Sequence, residues 1–175
     1  MGRHSLLIVA AAAVLAAGCS PGLRHDAPSS RPGKTTMTRH ARGTFDVTLK
    51  PLDLHREIGG TGGTIGRMSI DKRFKGGIEG FSAGEMLTGI GGSGVKGSAG
   101  YVAMERVTGT LDGRRGSFIL QHSATMSRGA PRQTVTVVPD SGTEELTGMS
   151  GTLTITIVNG RHEYELAYSL GSSAD

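Results

Sequence analysis

Gly80-Phe81-Ser82-Ala83-Gly84 has the G-x-S-x-G spacing that raises a nucleophilic serine for acyl transfer, and Asp112 and His122 follow in the order acid, then base. That chemistry needs a strand-to-helix turn beneath the serine. Here Glu85-Met86-Leu87 runs straight into the glycines between 89 and 94, before any helix could form, so these glycines read as hairpin punctuation. Gly89-Ile90-Gly91-Gly92-Ser93-Gly94 likewise fits G-x-G-x-x-G. A strand-like segment follows it, where pyrophosphate binding would need a helix N-terminus. Gly59 to Gly66 lacks the Gly-Lys-Ser/Thr ending of a phosphate loop. Ser69-Ile70-Asp71-Lys72 and Ser93-Gly94-Val95-Lys96 are S-x-x-K matches, one inside a strand pattern and one in a glycine turn, without the companion motifs of a serine nucleophile. His25 and His40 fall in an N-terminal tether, and His55, His122 and His162 have no partner at metal-ligand spacing. No cofactor and no metal are therefore expected.

His122 carries a sharper expectation. It alternates with Phe118, Leu120, Ala124 and Met126, so if that face is interior its imidazole is interior too. On the preceding strand Glu105 shares a face with Tyr101, Ala103 and Val107, and a hairpin between the two strands would let Glu105 and His122 meet. The competing assignment turns Val102 and Met104 inward, with His122 an ordinary core histidine. Tyr101, Tyr164 and Tyr168 have polar tips that need partners, whether in a lumen or in half-buried packing. The candidate ligand-binding residues are Tyr101, Glu105, Gln121, His122, Met126 and Tyr164, with Glu105 and His122 the candidate acid and base. Met68 and Met126 would be adaptable lining.

Strands must position these groups. Period-two alternation runs through Phe45-Val47-Leu49, Phe118 to Met126, Val135-Val137, Leu153-Ile155-Ile157 and Tyr164-Leu166-Tyr168-Leu170. Three less regular segments, 65–74, 78–87 and 99–107, bring the count to eight. Eight short strands predict an all-β fold, an antiparallel barrel or a sandwich, and a closed eight-stranded barrel just holds a small ligand. With 29 Gly, no Trp, and only four Phe and three Tyr, the core must be thin. A weak repeat sets an apolar residue two positions before a glycine at Phe74/Gly76, Val107/Gly109 and Leu146/Gly148.

The N-terminus speaks of export. Arg3 and His4 precede an apolar run from Leu6 to Gly18, the length of a signal-peptide core and too short to span a bilayer. Leu15-Ala16-Ala17-Gly18-Cys19 resembles the lipobox of bacterial lipoproteins, which implies that Cys19, the sole cysteine, becomes an acylated N-terminus held by membrane lipid. Residues 1–18 are thus expected to be signal peptide, 19–42 a lipidated Cys and disordered tether, and 43–171 the barrel. The tether would reach about 25 Å from the lipid. Residues 43–175 carry 13 Lys or Arg against 14 Asp or Glu, so the basic excess belongs to the leader and tether. Without a basic patch and interleaved aromatics on the domain, a nucleic-acid partner is not expected.

Three stretches, Tyr101 to His122, Val138-Pro139-Asp140-Ser141-Gly142-Thr143 and Gly148 to Leu153, look like an uncharacterised bacterial family, domain of unknown function 3224. The resemblance extends from Thr44 to Leu170. It implies a barrel similar to that of allene oxide cyclase, an enzyme that isomerises a lipid epoxide mainly by holding its conformation. No cyclase catalytic motif can be placed on these residues, so the fold carries over and the chemistry does not. The sequence therefore points first to a tethered barrel that binds a small, largely apolar ligand. An isomerase or cyclase acting through Glu105 and His122 is the alternative, and association with itself or another envelope protein is a third reading.

Overall fold

The computed structural model describes residues 37–54, 58, 60–92 and 95–171. Eight strands form a closed antiparallel barrel in sequential order. They are β1 (Arg39–Leu52), β2 (Gly63–Gly76), β3 (Ile78–Gly91), β4 (Ala99–Leu111), β5 (Arg114–Ser127), β6 (Ala130–Val137), β7 (Ser150–Val158) and β8 (Arg161–Ser169). Closure comes from β8 pairing with β1, where Arg42 faces Glu165 and Gly43 faces Tyr164. Among the described residues no edge strand is left exposed to recruit another chain. The seam between β6 and β7 is the thinnest, with Thr136 opposite Thr152 as its register pair.

Three hairpins turn on dipeptides that suit the twist of antiparallel strands. Asp112-Gly113, Arg128-Gly129 and Asn159-Gly160 all have positive φ at both positions, the type I′ geometry in which glycine costs least. Other glycines do not sit in hairpins. Gly80, Gly109 and Gly116 face one another across β3, β4 and β5, and a Cβ on Gly80 or Gly109 would run into the neighbouring strand's backbone. Their row brings three strands close together at a barrel corner, a role in bending rather than in turning. The apolar-x-Gly repeat at Val107/Gly109 thus marks a bend inside β4.

Two apolar clusters divide the interior. The larger closes the end of the barrel where β1 starts and β8 finishes, and includes Phe45, Phe74, Ile78, Leu111, Phe118 and Tyr168. Between β6 and β7 the chain makes a short 3-10 turn, Glu144–Leu146, that drives Leu146 and Met149 into this end as a plug. The smaller cluster, Met68, Met86 and Ala103 with Leu49 and Tyr101, lies toward the opposite end. Few bulky side chains remain to fill that half.

The strand faces follow the alternation expected in β1, β5, β6, β7 and β8. One expectation changes. Residues 39–42, assigned to the tether, belong to β1: Ala41 is buried, and His40 and Arg42 both reach Glu165, at 2.6 and 2.8 Å. The domain therefore begins before Gly43, because β8 offers a pairing partner that local sequence cannot show. The outer surface carries apolar side chains as well. Phe81, Leu87, Val102 and Met104 stand exposed on the outside of β3 and β4. Cys19, the apolar leader and the tether up to residue 36 lie outside the described residues, as does His55.

Candidate functional site

Pairing in the β2–β3–β4–β5 sheet sets one row of polar side chains inside the barrel. Lys72 lies opposite Ser82, Gly84 opposite Glu105, and Ala103 opposite His122. In each strand the residue shares its inward face with apolar neighbours: Met68, Ile70 and Phe74 for Lys72, Ala103 and Val107 for Glu105, Phe118 and Leu120 for His122. All four polar side chains are buried, Glu105 and His122 to within 1% of complete cover.

Glu105 is the hub. Its Oε2 accepts from Lys72 Nζ at 2.5 Å and its Oε1 accepts from the Ser82 hydroxyl. His122 Nε2 is 3.0 Å from Oε2, close enough for electrostatic coupling but outside the alignment of a hydrogen bond. Neither ring nitrogen of His122 has a hydrogen-bond partner among the described residues. Burial alone would raise the Glu105 pKa; contact with His122 and the charge of Lys72 outweigh it and hold the carboxyl at about 2. Burial pushes Lys72 below its ordinary value, with Glu105 opposing. His122 is also pushed down, first by burial, against Glu105 and with the help of the Lys72 charge. The 2.5 Å contact makes Lys72 and Glu105 a matched cation and anion, and burial favours a neutral His122, a balanced set that the interior tolerates. Phe45 covers the other side of the ammonium, its ring centre 4.9 Å from Nζ.

Above this floor lies a cavity of about 750 Å³. Its wall is mainly apolar, with Val47, Leu49, Met68, Met86, Ile155 and Ile157 prominent. Its rim carries Leu52, Ile65, Ile90, Ala99, Met126 and Pro131, at the end of the barrel opposite the Leu146 plug. Lys72 and His122 reach the lumen, while the Glu105 side chain is fully covered behind them. Tyr101 stands on the wall beside His122, ring centres 6.4 Å apart, and its hydroxyl accepts from Gln133 Nε2 at 2.6 Å. His162 also lines the lumen, stacked on Phe45 at 4.9 Å.

Of the residues singled out from sequence, Tyr101, His122 and Met126 line the cavity, and Glu105 supports its floor. Val102 and Met104 point outward, so the competing face assignment is wrong. Two candidates lie elsewhere. Gln121 is exposed on the outer face, because it precedes inward His122 and strand side chains alternate. Tyr164 is buried in the closed-end cluster, where its hydroxyl accepts from the Ile78 N–H at 2.7 Å. That places it in packing. Tyr168 is similar, donating to Asp112 Oδ2 at 2.7 Å.

Lys72 and Ser82 were missed as partners of this group. A signal existed for Lys72: it continues the Met68-Ile70-x-Phe74 face, and a lysine on an apolar face requires a buried counter-charge. The G-x-S-x-G spacing at Ser82 does not make it a nucleophile. It lies inside β3, with no elbow beneath it, and is committed to Glu105. Asp112 sits in the β4–β5 turn, bonded to Tyr168. Among the described residues no His, Cys, Asp and Glu are grouped to hold a metal ion.

None of the curated proteins matches the chain. Among solved structures, a protein of unknown function of the DUF3224 family from Shewanella oneidensis MR-1 is 46% identical. The match covers 78% of this chain and all of that one, with a TM-score of 0.73. The family model described as "Protein of unknown function (DUF3224)" matches residues 41–168, which are the barrel from the first buried residue of β1 to the last of β8. The chain is therefore a member of the DUF3224 family.

Proposed function

We propose that this protein is an exported, membrane-anchored lipoprotein whose barrel binds a small, largely apolar ligand. The observation that carries the reading is the cavity: about 750 Å³, with a mainly apolar wall, Lys72 and His122 at its floor, and a few further polar side chains such as Thr88, Arg132 and Gln133 on its lining. Ligand sites commonly have this volume and this division of labour, with area for affinity and a few polar groups for orientation. The anchor rests on the Leu15 to Cys19 run. Acylation there would hold the barrel near a lipid surface, a source of apolar molecules.

The test is native mass spectrometry of the protein as exported, followed by titration with an environment-sensitive apolar dye. A co-purifying small molecule, or saturable one-to-one dye uptake abolished by Leu49→Trp, supports the reading. Absence of both overturns it. A second reading, an isomerase or cyclase, draws on the 3.0 Å contact between Glu105 and His122. There the neutral imidazole would move a proton on the bound molecule while ionised Glu105 stabilised the imidazolium. It requires turnover that His122→Gln removes without loss of binding.

A further inference from the structure

We propose that the cavity selects an apolar molecule bearing a hydroxyl, and that this hydroxyl donates to Nδ1 of His122. The inference rests on the ligand-binding reading above and names the head group. Its starting point is the unpartnered imidazole: a side chain 1% exposed, on the cavity floor, with no hydrogen-bond partner at either nitrogen among the described residues. A buried polar atom left so costs roughly 1–3 kcal/mol unless something satisfies it.

Its environment decides which nitrogen carries the proton. Oε2 of Glu105 lies 3.0 Å from Nε2, and an ionised carboxylate can only accept. A bare lone pair on Nε2 at that distance would face the carboxylate's own lone pairs, so the proton belongs on Nε2. In a neutral ring Nδ1 is then an acceptor. The complementary ligand group is a donor.

The charges around the ring narrow the class further. Lys72 is already neutralised by Glu105 at 2.5 Å and covered by the Phe45 ring, so the floor has no unmatched positive charge for a carboxylate. A second carboxylate would also face Glu105 across a poorly screened interior. An ammonium would meet Lys72. A hydroxyl avoids both repulsions, and its oxygen remains able to accept from a donor on the wall beside His122, where Tyr101 stands. Ethers and ketones can accept but leave Nδ1 unmet.

The test compares n-decanol, decyl methyl ether and decanoate, three probes with similar chains and different heads, by competition with the apolar dye on the full chain near neutral pH. Decanol is expected to bind about tenfold more tightly than the ether or decanoate, the worth of one net hydrogen bond. In His122→Leu its affinity should fall to that of the ether, with the ether unchanged. In His122→Gln, whose amide oxygen accepts, the preference should persist. Equal affinities of alcohol and ether in the unaltered protein would overturn the head-group assignment and leave the apolar cavity standing. Tighter decanoate binding would also overturn it, since it would mean that the head group meets a cation, a protonated ring or the lining Arg132, rather than a neutral acceptor. An alcohol preference that survives His122→Leu would remove His122 from the assignment. If none of the three probes displaces the dye, the cavity reading itself falls. The comparison in the unaltered protein decides the head group even if a His122 variant fails to fold.

Discussion

Removing the Glu105 charge should expose how much of this barrel's stability is tied to its polar floor. In Glu105→Gln, Lys72 keeps a nearly complete cover but loses its counter-charge, and breaking a buried pair from one side costs about 3–5 kcal/mol. A second route leads to a similar figure. Holding the carboxyl at about 2 against an ordinary 4.5 corresponds to about 3 kcal/mol of native-state preference for the ionised form. For a domain of this size that is a fall in Tm of roughly 10 °C. Lys72→Met should cost a comparable amount, since Glu105 would then be a buried anion held by Ser82 and His122. The double variant Lys72→Met/Glu105→Gln removes both charges and should cost no more than either single change. Urea unfolding of the four proteins near neutral pH measures this coupling. Losses in the singles that simply add in the double, to within about 0.5 kcal/mol, would falsify the view that the two charges exist in the interior only because of each other.

The same floor should make the protein acid-sensitive in two steps. His122 titrates below its ordinary 6.5 in the native state, so the unfolded chain binds that proton first and stability starts to fall as the pH drops below about 6.5. Glu105 is depressed in the native state, so its contribution is complete above pH 4.5 and is lost as the pH falls toward 2. Melting temperatures across that range should show both, and Glu105→Gln should abolish the lower step. Cys19→Ala should move the protein from the detergent phase to the aqueous phase or leave an uncleaved precursor; unchanged partitioning would refute acylation. A chain starting at Met37 should melt like the mature protein. One starting at Gly43, which loses Ala41 and the four β1–β8 pairs from Arg39 to Arg42, should be less stable by about 2 kcal/mol or more, and equal melting of the two would place the domain boundary after Arg42. Tyr164→Phe should cost about 1–3 kcal/mol by stripping the Ile78 N–H of its acceptor, and should leave dye affinity unchanged because the ring lies outside the cavity.

Alternation along single strands was enough to orient the β5 side of the site. Phe118, Leu120 and His122 fall on one face because successive strand side chains point to opposite sides, and apolar neighbours say which side is interior. The all-β class followed from the same period. The grouping of Lys72, Ser82, Glu105 and His122 was another matter. These residues span from 72 to 122 in the chain and meet because three successive registers align, each of which would send its side chains outward if slipped by one residue. Local pattern carries no information on register. Closure was equally hidden: residues 39–42 look like tether until β8 supplies their hydrogen bonds, and Tyr164 looks like a lumen residue until Phe74 packs on its ring and the Ile78 N–H donates to its hydroxyl. The cavity exists because the closed end takes most of the bulky side chains, a distribution that only the closed barrel decides.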